Sequence, residues 1–317
     1  MANLLLRLLG VLLLLTAVAL ALSRAPDRPV QTLVARWAPP PSEFIDVKGQ
    51  IVHLRDEGPR ADAEPLVLIH GTSASLHTWE GWVRALKGTK RVITLDLPGF
   101  GLTGPFSGEY RRDDYRGDAL AGFVLDVLDR LQVGRFAIGG NSLGGEVAWR
   151  VALRAPERAK RLILVDSSGT AFVPQSMPLG FWIARIPLLN RAGEYLLPRA
   201  LVAQGLGSVY GDPAKVTAEQ IDRYYEIALR EGNRRALGLR IQQLEHGEHV
   251  QRLQTLKLPT LILWGGRDRL IPPTEAEEFR RRIAGSRVVV FPELGHVPQE
   301  EDPARSVAEV LAFLGLP

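Results

Sequence analysis

The sequence predicts an α/β fold built on a mostly parallel, doubly wound sheet. Short apolar runs, such as residues 65–69 and 260–264, alternate along the chain with segments whose apolar residues recur at helical spacing. The runs are continuous, which is typical of central parallel strands covered by helices on both faces. In such sheets, functional residues gather at the carboxyl ends of the strands, so we expect the chemistry of this chain there.

Length and composition bound the remaining choices. The 317 residues suffice for one large domain and a smaller subdomain. The net charge is +4, but the 39 basic residues are scattered among 35 acidic ones, and no basic run is interleaved with aromatic residues, so nucleic-acid binding has no support. The chain has no cysteine, which excludes disulfides, thiolate catalysis and cysteine metal sites and leaves the redox compartment undetermined.

The first part of the chain, residues 1–24, is predicted to be a hydrophobic membrane anchor or a signal. Residues 4–22 are almost entirely apolar, and at about 1.5 Å per residue a helix of that length nearly spans a bilayer core of roughly 30 Å. This length favours a single retained anchor helix. The alanine–leucine–alanine at 19–21 resembles a cleavage site, and cleavage there would give an exported protein instead.

A proline-rich segment separates this leader from the main domain. Residues 25–42 contain five prolines and are predicted to form a stiff linker. The domain at 43–317 then opens with a hairpin, because apolar stretches flank a Lys-Gly-Gln turn at 48–50. The other predicted elements are strands at 65–69, 91–95, 135–139, 161–165, 260–264 and 287–291, and helices at 79–86, 115–131, 275–283 and 303–314.

One glycine-rich segment carries the strongest catalytic signal. Residues 140–144, Gly-Asn-Ser-Leu-Gly, match the pattern G-x-S-x-G between an apolar run and a helix of small residues. A serine displayed at the top of a sheet needs a tight, strained turn, and the glycines let neighbouring backbone approach it. The following helix points its positive end toward the site. Ser142 is therefore the candidate nucleophile.

Other polar residues also follow predicted strands. They are His70, Asp96, Asp166 and Asp268, together with His296 on the loop after the last strand. Serine, aspartate and histidine thus occur along the chain in the order Ser142, Asp268, His296. Their common position at strand ends predicts that they meet at one edge of the sheet.

Four motifs make the sequence similar to the α/β-hydrolase superfamily, in its serine-nucleophile, esterase- and lipase-like branch. These motifs are His70-Gly71-Thr72, the glycine-rich segment around Ser142, Gly265-Gly266-Arg267-Asp268 and Gly295-His296-Val297-Pro298. The resemblance covers about residues 43–317. It implies an α/β-hydrolase sheet with a helical cap, at 169–256, inserted after the half that carries the nucleophile.

The resemblance implies a catalytic triad of Ser142, Asp268 and His296. A serine hydroxyl attacks carbonyl groups poorly without an adjacent base, and His296 is the expected base. Asp268 would orient the imidazole and stabilise its protonated form. Asp166 is the alternative acid, because some members of the superfamily take the acid from the strand after the nucleophile helix.

The developing oxyanion needs two donors. The backbone N–H of Leu143, directly after the nucleophile, is one, and the resemblance makes Thr72 the other. His70 and Asp96 are expected to support the surrounding turns rather than to take part in the chemistry.

The cap region is expected to set substrate choice. Its most apolar positions either pack onto the core or line an apolar pocket; they are Phe181, Trp182, Ile183, Ile186, Leu188 and Leu189, with Tyr224 and Tyr225 further on. His246 and His249 also lie in this region, in a charged stretch, and are expected to be solvated rather than catalytic.

The sequence therefore predicts a serine hydrolase that cleaves small to medium, apolar carboxylic esters through an acyl-enzyme on Ser142, without a metal or another cofactor. Carbon–carbon bond hydrolases of aromatic degradation and cofactor-free haloperoxidases share the triad and remain alternatives. Epoxide hydrolases and haloalkane dehalogenases are disfavoured because they have aspartate at the position of Ser142. A non-catalytic, membrane-tethered binding protein is the alternative of another class, and its expected mark is a missing triad residue.

Overall fold

The computed structural model describes residues 2–186, 189, 191, 193–244 and 247–317. An eight-stranded sheet forms its centre. The strands are β1 (Ser42–Val47), β2 (Gln50–Glu57), β3 (Leu66–Ile69), β4 (Val92–Leu95), β5 (Phe136–Asn141), β6 (Ala159–Val165), β7 (Thr260–Gly265) and β8 (Arg287–Phe291). Their order is β1-β2-β4-β3-β5-β6-β7-β8; β1 and β2 are antiparallel to their neighbours, and the other pairs are parallel. The predicted fold class is confirmed.

Helices cover both faces of this sheet. The described helices are α1 (Ala2–Ser23), α2 (Gln31–Trp37), α3 (Glu80–Leu86), α4 (Gly117–Arg130), α5 (Leu143–Arg154), α6 (Leu179–Arg185), α7 (Arg199–Val209), α8 (Ala218–Ala228), α9 (Asn233–Gln242), α10 (Thr274–Arg282), α11 (Pro298–Glu301) and α12 (Pro303–Leu314). Short 3₁₀ helices span Leu76–Trp79, Pro213–Lys215 and Val250–Thr255. All the predicted strands and helices of the domain are present, with ends shifted by a few residues.

The core has two layers because each central strand is buried on both faces. Along β3, Val67 and Ile69 pack into one apolar cluster with α4 and α5, whereas Leu66 and Leu68 pack into the other with α3 and α12. Strand side chains alternate between faces, so a continuous apolar run fills both layers. This rigid sheet fixes the strand ends that carry the candidate residues.

Helices α6 to α9 form the cap, between β6 and β7. A capping box of Thr217 and Gln220 starts α8. The cap is tied to α5 by buried charges, since the Glu146 carboxylate lies 3.0 Å from the Arg240 guanidinium of α9 and 2.9 Å from that of Arg150. The insertion point is the one that the resemblance implies.

Helix α1 extends away from the domain. Among the described residues, one helix is long and apolar enough to cross a membrane by length and composition, and it is this one, over Asn3–Ala21. None of that span is buried against the domain. A bilayer anchor and a signal sequence both fit this finding.

The segment predicted as a stiff linker, residues 25–42, differs in the structure. Helix α2 forms within it, and Leu33 and Trp37 are buried against Leu102 and Ile227. The prolines flank this helix rather than interrupting it, and the two apolar side chains are four residues apart on one helical face. We call residues 24–37 the strap, because they bind along the cap rather than spacing α1 away from it.

Candidate active site

Ser142 makes the turn between a strand and a helix by itself. Strand β5 ends at Asn141 and α5 begins at Leu143. The Ser142 backbone has φ 55° and ψ −119°, a strained conformation for a residue with a side chain. Its N–H donates to the Val165 carbonyl at 3.0 Å, and its carbonyl accepts from the Ser168 N–H at 3.0 Å. The structure thus holds Ser142 on a strained turn at the end of a central strand.

Glycine is required on both sides of this serine. A Cβ on Gly140 would overlap the Gly144 carbonyl, and a Cβ on Gly144 would overlap the carbonyl of Ile69 at the end of β3. The same packing brings the loop after β3 onto the turn, since a Cβ on Gly71 would lie 3.2 Å from the Cβ of Ser142. The two predicted loops therefore meet at the serine.

His296 and Asp268 form a buried hydrogen bond. His296 Nδ1 lies 2.7 Å from Asp268 Oδ2. Asp268 Oδ1 accepts from the backbone N–H groups of Leu270 and Ile271, at 2.8 and 3.0 Å. Because Asp268 is the acceptor, Nδ1 carries the ring proton and the neutral imidazole presents Nε2 as its free acceptor.

Asn141 joins the serine turn to the loop that carries the histidine. Its Nδ2 donates to the His296 carbonyl at 2.9 Å and to the Val165 carbonyl at 3.2 Å. Ser142, Asp268 and His296 are thus brought to one end of the sheet. Within the described residues the Ser142 Oγ makes no hydrogen bond. Contacts of this kind are often long in free enzymes and tighten when substrate binds.

The two expected oxyanion donors are available. Neither the Thr72 nor the Leu143 backbone N–H is hydrogen-bonded to any residue that the structure describes. Leu143 is the first residue of α5, where the N–H has no partner inside the helix. His70 holds the Thr72 loop, since its Nδ1 donates to the Gly71 carbonyl at 2.7 Å and its Nε2 accepts from the Leu97 N–H at 3.0 Å. Burial lowers the pKa of His70, which keeps this bridging ring neutral.

Asp166 lies beside the His296–Asp268 pair. One oxygen from each aspartate and one ring nitrogen of His296 lie within 4.8 Å of one another. Asp166 Oδ1 accepts from the Gly265 N–H at 2.9 Å, whereas no donor among the described residues faces Oδ2. Burial, and then the neighbouring Asp268 carboxyl, raise the pKa of Asp166 well above its usual range. Asp166 therefore favours its protonated form, which can donate from Oδ2 to Asp268.

Glu301 is a positioning residue that sequence reasoning missed. Its buried carboxylate accepts from the N–H groups of Gly295 and Gly211, both at 2.8 Å, and of Asp212 at 2.9 Å. It thereby clamps the residue before His296 to the cap. A glutamate in the fourth position of a short helix carries no sequence signal for this role.

A second chain of serine, histidine and aspartate lies elsewhere, and the sequence gives no sign of it. His53 Nδ1 lies 2.6 Å from Asp96 Oδ2, and its Nε2 lies 3.0 Å from Ser42 Oγ. Asp96 also accepts from the N–H groups of Leu76 and Leu102, both at 2.7 Å. Ser42 stands on an edge strand rather than on a strained turn, so we interpret this network as structural support for the β4 loop.

A half-open apolar cavity of about 210 Å³ lies between the cap and the core. Thr72 and Ser73 line it from the core, and Phe181, Ile183 and Tyr224 line it from the cap. Thr72 is therefore shared between the cavity and the expected oxyanion site. Other cap residues differ from the expected pocket: Trp182, Ile186 and Leu189 are exposed, and Leu188 lies outside the described residues.

The two cap histidines stand apart from this site. His249 is partly exposed and its Nε2 pairs with Asp118 at 3.4 Å and Glu248 at 3.3 Å, so it is solvated as expected. His246 lies outside the described residues.

The fold and the strained serine turn define an α/β hydrolase. A family model described as alpha/beta hydrolase fold matches residues 64–303, and the chain belongs to that family. The protein is accordingly an enzyme of the hydrolase class, as its relatives are.

Three similar proteins illustrate the range of this family. A pimeloyl-[acyl-carrier protein] methyl ester esterase of Nitrosomonas europaea is 30% identical over 266 residues, which cover 81% of this chain and 97% of the relative. A meta-cleavage product hydrolase of Pseudomonas fluorescens has TM-score 0.71 and 25% identity, covering 86% of this chain and 97% of the other. A membrane phospholipase A from a bacterium has TM-score 0.69 and 26% identity, covering 99% and 96%.

Proposed function

We propose that this enzyme cleaves carboxylic esters through an acyl-enzyme on Ser142. The observation that carries the proposal is the strained Ser142 turn, joined through Asn141 to the loop of a histidine whose Nδ1 is held by Asp268. That arrangement leaves Nε2 of His296 as the group that can accept the serine proton.

In this mechanism Ser142 Oγ attacks the ester carbonyl carbon while its proton passes to His296 Nε2. The N–H groups of Thr72 and Leu143 stabilise the resulting oxyanion, and each such donor is typically worth about 3–4 kcal/mol of barrier. When this tetrahedral intermediate collapses, the alcohol leaves with the proton that Nε2 carried, and the acyl group remains on Ser142. Water then attacks the acyl carbon, gives a proton to Nε2, and releases the carboxylic acid as the serine regains its proton.

Asp268 is proposed as the triad acid, and Asp166 as its hydrogen-bond donor. Asp268 makes the direct bond to Nδ1, whereas Asp166 contacts the pair from the side. A protonated Asp166 would stabilise the negative charge on Asp268 without competing for the histidine. Aspartate and histidine also serve as metal ligands, but the 2.7 Å bond between His296 Nδ1 and Asp268 Oδ2 favours the triad arrangement.

The cavity supports an apolar acyl group as the substrate part next to Ser142. Its lining is aliphatic and aromatic apart from a few residues, and Thr72 places an oxyanion donor on its wall. The relatives named as a methyl ester esterase and a phospholipase A support an ester as the bond that is cleaved. The phospholipase also matches nearly the whole chain, which supports a retained anchor helix and a membrane location.

Carbon–carbon bond hydrolysis is the second candidate. A meta-cleavage product hydrolase has a TM-score of 0.71 to this structure. No similar protein named above is a haloperoxidase. A non-catalytic binding protein is disfavoured, because no expected triad residue is missing from the sequence and the chain belongs to a hydrolase family.

A substrate comparison tests the proposal. The purified enzyme would be given nitrophenyl esters from acetate to dodecanoate and, separately, a meta-cleavage product, and kcat/KM would be measured for each. We expect the highest values on esters of intermediate length, whose acyl groups fill the cavity. Efficient turnover of the meta-cleavage product alone would transfer the assignment to carbon–carbon bond hydrolysis.

A further inference from the structure

Helix α6 is apolar on two opposite faces. Gly180, Phe181, Ile183 and Ala184 line the cavity. On the other face, Leu179 and Trp182 are three residues apart and exposed, Trp182 to 54%, and the exposed Ile186 follows directly after the helix. A helix that is apolar on opposite faces is normally buried on both, so we expect another molecule or a membrane to cover the outer face of α6.

Exposed apolar residues concentrate in this part of the cap. Outside α1, ten large apolar side chains of the described residues are exposed, and six of them lie between residues 173 and 195. These six are Val173, Leu179, Trp182, Ile186, Leu189 and Tyr195. We call them the outer cap patch. Patches of this kind mark contacts with proteins or membranes.

The membrane-length helix is joined to this same segment. At the end of α1, the Leu197 N–H donates to the Ser23 carbonyl and the Ala25 N–H donates to the Tyr195 carbonyl, both at 2.9 Å. Arg24 and Leu196 form an antiparallel bridge between these two segments of the chain. The exit point of α1 is therefore fixed beside the outer cap patch.

The strap prevents α1 from swinging away. The Arg28 N–H donates to the Leu229 carbonyl at 2.6 Å. Asp27 pairs with Arg234 at 2.6 Å, and Arg234 itself lines the cavity. Trp37 Nε1 donates to Glu226 at 2.7 Å. With α1 in a bilayer, these contacts hold the cap, and not the opposite side of the sheet, next to the membrane surface.

The charges around the patch suit an anionic lipid surface. The Arg185 guanidinium lies 5.6 Å from the Trp182 ring centroid, and Arg24 and Arg191 are exposed nearby. Basic residues next to a membrane-spanning helix are attracted to anionic headgroups. A tryptophan with an adjacent arginine is also a pairing that favours the membrane interface.

We propose that the outer cap patch lies in the headgroup region of the bilayer that α1 spans, so that α6 separates lipid from the cavity on its other face. This placement, together with the proposed ester hydrolysis on which it rests, makes the substrates acyl esters that enter the cavity from the membrane. The outer cap patch is thus covered by lipid. The test below distinguishes this arrangement from one in which a second copy of the chain covers the patch.

Trp182 is a built-in reporter of this contact. Of the six tryptophans, all among the described residues, five are buried and Trp182 alone is exposed. The full-length protein would be reconstituted into vesicles of phosphatidylethanolamine and phosphatidylglycerol, with and without lipids brominated near the headgroup. We expect brominated lipid to quench a component of the fluorescence that aqueous iodide does not reach, and Trp182→Phe to abolish that component.

Two other quenching results would overturn the proposal. Quenching by iodide and not by brominated lipid would mean that the patch faces water. Protection from both quenchers would mean that protein covers it, as in pairing of two copies. The measurement needs no catalysis, so it stands even if the proposed ester hydrolysis fails.

Substitutions test the link to substrate. We expect the rate of phospholipid hydrolysis in the same vesicles to be about tenfold lower for the double variant Leu179→Ser with Trp182→Ser, a change equal to about 1.4 kcal/mol. Its kcat/KM on a water-soluble nitrophenyl ester would change less than about twofold. Ile51→Ser, at a comparably exposed residue of β2, is the matched control and would leave both activities unchanged. Equal losses on both substrates in the double variant would contradict entry from the membrane.

Discussion

His296 Nδ1 lies 2.7 Å from Asp268 Oδ2, and this bond joins two loops that are 28 positions apart in the sequence. It determines which ring nitrogen carries the proton and so which nitrogen is free to act as a base. Asp166 stands close to both residues, with a carboxyl whose pKa is raised, first by burial and then by Asp268. The site thus contains two aspartates beside the imidazole, and only Asp268 is bonded to it.

The same substitution at each aspartate distinguishes their proposed roles. Asp268→Asn is expected to lower kcat by about 10⁴, because an amide favours the wrong imidazole tautomer. Asp166→Asn keeps a hydrogen-bond donor toward Asp268, and we expect at most about a tenfold loss, in keeping with a neutral hydrogen bond of about 1 kcal/mol. Both variants would be measured on one ester at neutral pH. The reverse ranking would make Asp166 the triad acid.

Glu301 is expected to support both stability and catalysis. Glu301→Gln replaces one of the two acceptor oxygens by an NH₂ group, so at least one of the three backbone N–H groups loses its partner, at a cost of about 1–3 kcal/mol in the free energy of unfolding. Because Gly295 precedes His296, we also expect kcat to fall more than KM changes. Glu309→Gln, which breaks an exposed pair with Arg287, is the matched control. Equal stabilities of the two variants would show that the clamp contributes little.

Buried His77 makes stability depend on pH. Its Nε2 contacts the Trp37 carbonyl at 2.7 Å and its Nδ1 the Ser75 hydroxyl at 2.9 Å. Burial lowers the pKa of His77 from 6.5 to about 4. Between these two values the unfolded chain binds a proton that the native chain does not, so stability falls as the pH falls through this window.

The variant His77→Gln isolates this effect. It retains a donor toward the Trp37 carbonyl and cannot titrate. Relative to this variant, the wild-type protein is expected to lose up to about 3 kcal/mol of unfolding free energy between neutral pH and the lower end of the window. Titratable groups that do not interact with His77 contribute equally to both proteins and cancel in the comparison. A constant difference between the two proteins across the window would contradict the assignment.

The strap predicts where the chain can be shortened. A chain beginning at Arg24 retains the Asp27–Arg234 pair and buried Leu33 and Trp37, so we expect it to fold and to cleave water-soluble esters. A chain beginning after Trp37 exposes Leu102 and Ile227 and is expected to have a clearly lower melting temperature. Equal melting temperatures would mean that the strap does not stabilise the domain.

The native N-terminus distinguishes an anchor from a signal. We expect the full-length protein to sediment with membranes and to resist extraction by salt or carbonate. A soluble form whose N-terminus lies near Leu22 would establish cleavage and rule out the anchor. It would leave the hydrolase proposal intact, because the expected catalytic residues all lie after residue 70.

The sequence predicts the sheet well, and it predicts the position of the candidate residues at strand ends, because local patterns specify both. A continuous apolar run identifies β5, and the glycines on both sides of Ser142 mark the turn. The Glu301 clamp and the Asp166–Asp268 contact could not be predicted, because each depends on distant loops meeting in three dimensions. The helix in the strap has only seven residues, so the spacing of Leu33 and Trp37 is a weaker signal in the sequence than the prolines on both sides of it. The cap residues could not be assigned to a face, since α6 is apolar on both sides.

The central claim is that Ser142 forms the acyl-enzyme, and a fluorophosphonate label followed by peptide mass spectrometry tests it most directly. We expect a single adduct on Ser142. In Ser142→Ala this adduct would be absent and kcat would fall by about 10⁶-fold. The control Ser42→Ala, which removes the hydroxyl of the structural His53 network, would retain the adduct on Ser142. An adduct on Ser42, or labelling and ester hydrolysis that persist in Ser142→Ala, would contradict the account.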